Sequence, residues 1–234
     1  MQITQQIPKN TSGRDFVIGD LHGCLDELKH KMDLYRVDIT KDRIFSVGDL
    51  IDRGQHSYEC LSLILEPWFF AVRGNHEELM LSAISNYDVT QHNGRMWYPN
   101  GGDWYIEHQK NHGTIPKDIL QKVSVLPFIN VVQTPSGNRV NILHAELPPN
   151  TTDYLIDTEG FAMYELSSLL WGRTRISNLN RHTTEEHFTT MDKDLSPTYV
   201  GHTAVKKPFS IGKYNYIDTG AVFDGGYLTM IELT

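Results

Sequence analysis

Asp20, His22, Asp49, Asn75, His144 and His202 each stand at or just past the end of a short apolar run, most of them beside glycine. Together they offer carboxylate oxygen, amide oxygen and imidazole nitrogen, with no thiolate. That donor set suits Mn, Fe, Zn or Co better than a soft ion. It is also too large for one tetrahedral ion. Two ions sharing a carboxylate fit it better, as in hydrolytic sites whose paired ions sit about 3.5–4 Å apart and stabilise attacking and leaving oxygens. Asp49, central in the set, is the candidate bridge. Asp20 and His22 are two apart, and in extended backbone that spacing turns both side chains towards one ion.

Residues without a metal role lie close by. Arg53 and Arg73 are each within four positions of a proposed ligand, and a guanidinium is the planar, bidentate partner of phosphate oxygens. His76 directly follows Asn75 and is placed to protonate a leaving group. Asp52, three past Asp49, is placed to orient and charge that imidazole. The chemistry indicated is phosphoester hydrolysis, in which cations offset the charge on the phosphoryl oxygens and a positioned acid serves the departing oxygen.

The elements that position these residues are legible as short runs rich in Val, Ile and Phe. Phe16–Gly19, Ile44–Gly48, Phe69–Gly74, Val140–Leu143 and Thr198–Gly201 read as strands, buried on both faces. Helical spacing separates the first three: Leu25, Leu28, Met32 and Tyr35, then Leu61, Ile64 and Leu65, then Leu79, Met80, Ala83 and Ile84. Strand–helix–strand alternation predicts an α/β fold with a parallel first half. The second half reads as antiparallel, which makes the sheet mixed. Open α/β sheets bind ligands at the carboxyl ends of their strands, so strands lying side by side would bring the five ends to one rim. Residues 177–197 are polar and aperiodic and read as a solvated loop. Trp97 and Trp104 suit either a substrate groove or buried packing.

The chain has 234 residues, a net charge of -8 and two cysteines. This predicts one domain over residues 1–234, no nucleic-acid partner and no disulfide framework. Cys24 and Cys60 read as small buried residues. The polar start and the lack of a long apolar run predict no signal peptide, no membrane association and a cytoplasmic protein. Of the 11 histidines, His30, His56, His92, His108, His112, His182 and His187 have no comparable context and read as helix or loop residues.

Gly19-Asp20-Leu21-His22-Gly23, Gly48-Asp49-Leu50-Ile51-Asp52-Arg53-Gly54 and Gly74-Asn75-His76-Glu77 resemble, in order and spacing, the three blocks of the phosphoprotein phosphatase family. The family resemblance extends to Leu143-His144-Ala145 and Gly201-His202-Thr203, and is nearest to the small bacterial and bacteriophage-lambda type. It implies a metallophosphoesterase-type β-sandwich of mixed sheets flanked by helices, in four layers α/β/β/α. It implies one ion held by Asp20, His22 and Asp49, and a second held by Asp49, Asn75, His144 and His202. Arg53, Arg73 and, through Trp171-Gly172-Arg173, Arg173 would bind the phosphoryl oxygens. His76 would be the general acid, supported by Asp52. The expected activity is manganese-supported hydrolysis of phosphoserine and phosphothreonine in proteins, extending to phosphotyrosine, by direct attack of a metal-bridging hydroxide. The Ala145-Glu146 pair departs from the family pattern and puts the influence of Glu146 on the metals in question. Two rivals are a symmetrical dinucleoside tetraphosphate hydrolase, whose second block differs at the position of Asp52, and an inert scaffold of the same fold. The oligomeric state is not legible; nothing requires more than a monomer.

Overall fold

A computed structural model describes residues 3–85, 94–162, 165–179 and 185–234. His92 and His182 therefore lie outside the described residues. The strands are β1 (Thr4–Ile7), β2 (Asp15–Ile18), β3 (Arg43–Ser46), β4 (Phe69–Ala71), β5 (Ile129–Gln133), β6 (Arg139–Leu143), β7 (Thr198–Val200), β8 (Phe209–Ile211), β9 (Tyr214–Tyr216) and β10 (Met230–Leu233). They form two mixed sheets, ordered β10-β2-β3-β4 and β1-β5-β6-β7-β9-β8.

The five ligand-bearing strands are thus not side by side. β2, β3 and β4 run parallel in one sheet, and β6 and β7 run parallel in the other. The second half is also less antiparallel than its turn-rich text predicts. β5–β6 and β8–β9 are antiparallel, as is β10 against β2 in the other sheet, while β7 pairs in parallel with both neighbours.

The helices are α1 (Leu25–Tyr35), α2 (Ser57–Ser62), α3 (Asn75–Ser85), α4 (Gly94–Trp97), α5 (Trp104–His112), α6 (Lys117–Ser124), α7 (Asp153–Asp157), α8 (Leu166–Trp171), α9 (Thr174–Asn178) and α10 (Glu185–Met191). The period-2 alternation of each strand separates the layers. Phe16 and Ile18 of β2 face a core shared with Leu28, Leu61 and Met80 of the helices, whereas Val17 packs with Phe45, Val132, Val140 and Ile142 between the sheets. On the far side, Ile129, Val131 and Leu143 face Ile156, Leu166 and Leu169. The order is helices, sheet, sheet, helices.

Two local expectations are corrected. Leu65 is 40% exposed, because α2 tightens into a 3-10 turn over Leu63–Leu65 and swings that side chain outwards. The stretch expected as a solvated loop contains α10, whose Phe188 is buried, followed by buried Asp192 and Leu195. Asp192 receives both terminal nitrogens of Arg175, at 3.1 and 2.5 Å. An ion pair and two apolar anchors, rather than periodicity, order that segment. Cys60 is buried, and Cys24 is half-buried immediately before α1.

Candidate metal centre and phosphate pocket

Sharp turns leave the carboxyl ends of β2, β3 and β7. The backbone φ is positive at His22 (43°), Asp49 (50°), Asp52 (77°), Arg53 (71°) and His202 (66°), a region that non-glycine residues seldom occupy. The Asp20–His22 stretch is therefore turned, not extended. Both residues still line one cavity of about 440 Å³, together with Asp49, Arg53, Asn75, His76, Arg173 and His202.

Asp49 lies at the centre. Its Oδ2 is 3.6 Å from His22 Nε2, 3.8 Å from His76 Nε2 and 3.5 Å from His144 Nε2. Two groups of potential ligand atoms converge, His22–Asp49–His76 and Asp49–His144–His202, and they share Asp49. Asn75 Oδ1 joins the second group, 2.7 Å from His144 Nε2 and 2.9 Å from His202 Nδ1. The first group departs from the expected one in a single place, with His76 where Asp20 was anticipated. The Asp20 carboxylate instead accepts the His202 N–H at 3.0 Å.

The imidazoles are oriented from behind. His22 Nδ1 lies 2.8 Å from the Ile51 carbonyl and His144 Nδ1 2.9 Å from the Val47 carbonyl. A carbonyl only accepts, so each Nδ1 donates and each Nε2 presents its lone pair to the cavity, the arrangement a metal-binding histidine needs. Burial lowers the pKa of both histidines, that of His22 to about 3 despite the opposing Asp49 charge. Burial, His144 and Arg173 bring His202 to about 3 as well. Burial would raise Asp49, but His144, His76 and His22 hold it below the usual carboxylate range. Neutral imidazoles around an ionised carboxylate are the form in which a divalent ion is bound. The residues present therefore fit a metal centre.

The proposed acid converges on the first group through Nε2 but has a partner of its own at its other nitrogen. His76 Nδ1 pairs with Asp52 Oδ2 at 2.6 Å. Asp52 is fully buried behind it and accepts from Trp97 Nε1 at 2.9 Å and from Trp104 Nε1 at 2.7 Å. Burial opposes protonation of His76, but the Asp49 charge and the Asp52 bond outweigh it and raise the pKa. Sequence reasoning left both tryptophans undecided between groove and core. They hold the partner of the acid.

Arg53 bridges His22 Nε2 (2.6 Å) and His76 Nε2 (3.0 Å). A cation taking the His22 lone pair must displace that guanidinium into the cavity. Arg173 lines the cavity and donates from Nη2 to the His202 carbonyl at 3.3 Å.

Arg73 is not brought to the pocket. Its Nη1 pairs with Glu78 at 3.0 Å, its Nη2 donates to the Ser124 carbonyl at 2.5 Å, and its guanidinium lies over Phe128. The Ser124 carbonyl at the end of α6 and the Glu78 carboxylate draw the side chain away from the cavity.

Two supporting carboxylates, Glu77 and Asp218, were not identified from sequence, and a third, Glu146, was named without a role. Glu77, fully buried, accepts from Asp49 N, Leu50 N and Gly74 N at 2.8–2.9 Å and so fixes the turn that carries Asp49. Asp218 lines the cavity and is pushed up to about 6 by burial and by the Asp49 charge. It follows β9, so the strand-end rule that picked out the ligands also points to it. Glu146 makes no contact with the cavity. Its Oε1 accepts from Arg175 N (2.8 Å) and Ile176 N (3.2 Å) at the start of α9, directly after Arg173.

A family model described as calcineurin-like phosphoesterase matches residues 16–206. The serine/threonine-protein phosphatase 1 of Salmonella typhimurium is 34% identical over 233 residues, covering 99% of this chain and 97% of that protein. The symmetrical bis(5'-nucleosyl)-tetraphosphatase of Actinobacillus succinogenes is 42% identical over 69 residues, 29% of this chain and 25% of that protein. Among solved structures, a protein serine/threonine phosphatase of Saccharomyces cerevisiae superposes with a TM-score of 0.62 at 16% identity, covering 99% of this chain and 83% of that one, a likeness of fold.

Proposed function

The chain belongs to the calcineurin-like phosphoesterase family, and from that premise we propose that it is a cytoplasmic protein phosphatase acting on phosphoserine, phosphothreonine and phosphotyrosine with two divalent ions, preferentially Mn2+. The observation that carries this reading is the Asp52–His76 pair at 2.6 Å. The dinucleoside tetraphosphate hydrolase pattern differs at the position of Asp52. Similarity to the Salmonella phosphatase over nearly the whole chain supports the same choice.

Asp20, His22, Asp49, Asn75, His144 and His202 would hold the ions. When bound, these supply Lewis-acid charge and an activated water. Arg53, released from His22 Nε2, and Arg173 bring guanidinium N–H groups to the phosphoryl oxygens, where charge-assisted bonds favour a dianion. His76 Nδ1 donates to Asp52; once Arg53, which donates to His76 Nε2 here, moves to the phosphoryl oxygens, protonated His76 carries its second proton on Nε2 and gives it to the departing Ser, Thr or Tyr oxygen. The Asp49 charge and the Asp52 bond raise its pKa, which favours the protonated form. Arg73 is given no part.

The test is a Mn2+-supplemented panel of phosphoserine, phosphothreonine and phosphotyrosine peptides beside a symmetrical dinucleoside tetraphosphate. Peptide kcat/KM should exceed that for the dinucleotide. A preference for the dinucleotide reverses the assignment, and no turnover of either with both ions bound indicates an inert scaffold.

A further inference from the structure

His108 and His112 are four apart on α5, so their side chains share one helix face. Their ring centroids are 5.3 Å apart. The imidazole pairs of the candidate metal centre are at similar spacing, 4.9 Å for His144–His202 and 4.7 Å for His22–His76. Both rings line a separate cavity of about 660 Å³, with Glu59 and Glu107 in the same wall. His108 is held in place by Tyr58, stacked at 4.3 Å, and by the edge of Trp104 at 5.9 Å. Burial and the neighbouring His112 lower the pKa of His108, which leaves a nitrogen lone pair at neutral pH.

We propose that His108 and His112 form a second cation site, for an imidazole-seeking divalent ion of the Zn2+, Ni2+ or Cu2+ class. Paired imidazoles select these over Mg2+, Ca2+ or Mn2+. The two carboxylates in the cavity wall add a favourable field. Among the described residues, no third His, Cys, Asp or Glu ligand atom joins this pair as one does at the centre, so water completes the coordination and the ion exchanges. Trp104 connects the site to the acid, since the indole that packs on His108 donates to Asp52 Oδ1 at 2.7 Å. Drawing His108 towards an ion loosens that packing, and the change reaches Asp52 through one side chain. This holds whichever phosphoester is the substrate.

The experiment is calorimetric titration of Ni2+ into protein already saturated with Mn2+, for the full chain and for His108→Gln and His112→Gln. The unsubstituted protein should take up one further Ni2+. Each substitution should weaken that uptake at least about tenfold, the lower bound for disturbing a metal's ligation. Without Ni2+, Mn2+-supported turnover of an aryl phosphate should be unchanged in His112→Gln, which leaves the His108–Trp104 contact in place, and in that variant its response to added Ni2+ should be lost with the uptake. A Ni2+ isotherm indifferent to both substitutions overturns the site. Lost uptake with an unaltered Ni2+ response of turnover overturns the coupling through Trp104. The calorimetric result stands apart from the substrate assignment, because it is read without turnover.

Discussion

Glu146→Ala tests how the pocket acquires Arg173. The carboxylate is buried and caps the first turn of α9 from outside, accepting from Arg175 N at 2.8 Å and Ile176 N at 3.2 Å. The helix has no cap of its own, since Arg173 occupies the cap position without a side-chain bond. Removing Glu146 leaves two N–H groups unpaired. At about 1–2 kcal/mol for each, the local cost is about 2–4 kcal/mol. Arg175 stays anchored by Asp192 and lies over Phe188 and Tyr214, so α9 should remain docked while its first turn frays. Arg173 stands in that turn. A charge-assisted bond to phosphate is worth about 1.5–3 kcal/mol, so losing its aim should lower kcat/KM about 10- to 150-fold. The assay is aryl phosphate hydrolysis with Mn2+, combined with inhibition by inorganic phosphate, which should weaken in parallel. Glu146→Gln keeps one acceptor oxygen and should recover most of the loss. The double variant with Arg173→Ala should be no worse than Arg173→Ala alone. Full additivity would refute the argument. So would loss of bound metal in Glu146→Ala, which would place the effect at His144, two residues away.

Asp52→Asn removes a charge that raises the His76 pKa, so the alkaline limb of the kcat profile should move to lower pH while metal content stays constant; an unmoved limb would remove His76 as the proton donor. A Cβ on Gly201 would fall on Asp20 Oδ1, so Gly201→Ala should displace that carboxylate and lower metal content, read by elemental analysis of the folded protein. Burial, Asp218 and Asp49 raise the pKa of Asp20, and Asp218 itself is at about 6. These carboxylates hold protons that an ion must displace, so apparent Mn2+ affinity should rise with pH through about 6, with protons released on binding. Affinity independent of pH between 5 and 7 would contradict this proton competition, as tested at about those values.

The ligand-type residues were legible because a buried strand is a run of apolar residues, and the first polar residue after it marks where the chain leaves the sheet. That rule finds Asp20, Asp49, His144 and His202, and Asn75 once Arg73 is passed over, without regard to which sheet each strand joins. It does not say that β6 and β7 belong to a second sheet, because pairing depends on contacts distant in sequence. Proximity in sequence misled at Arg73. It lies two residues past β4, but direction is set by what the guanidinium can reach, and Glu78 and the end of α6 are nearer partners than the cavity. No local pattern connects Asp52 with Trp97 and Trp104, which lie 45 and 52 residues further on. The family blocks mark Asp52 as the partner of His76, but not what holds it.

The five strained residues explain why so many buried polar groups surround the cavity. Each positive φ at His22, Asp49, Asp52, Arg53 and His202 costs of order 1–3 kcal/mol and persists only if its surroundings enforce it. In every case the backbone N–H of that residue is held by another part of the chain. His22 N donates to the Asp49 carbonyl at 2.8 Å, Asp49 N to Glu77 at 2.9 Å, Asp52 N to Ser57 Oγ at 3.0 Å, Arg53 N to the Gly101 carbonyl at 3.1 Å, and His202 N to Asp20 at 3.0 Å. Bonds of about 0.5–1.5 kcal/mol, or about 1.5–3 kcal/mol to a carboxylate, are of the right size to offset that strain. Glu77 and Asp20 therefore stabilise the turns that aim the ligands, one from behind the cavity and one from within it. Asp20 has two tasks in this scheme, since the carboxylate offered to an ion also fixes the turn of His202. Binding a cation at Asp20 and orienting the imidazole of His202 are then one structural event, which ties the two sheets together at the cavity.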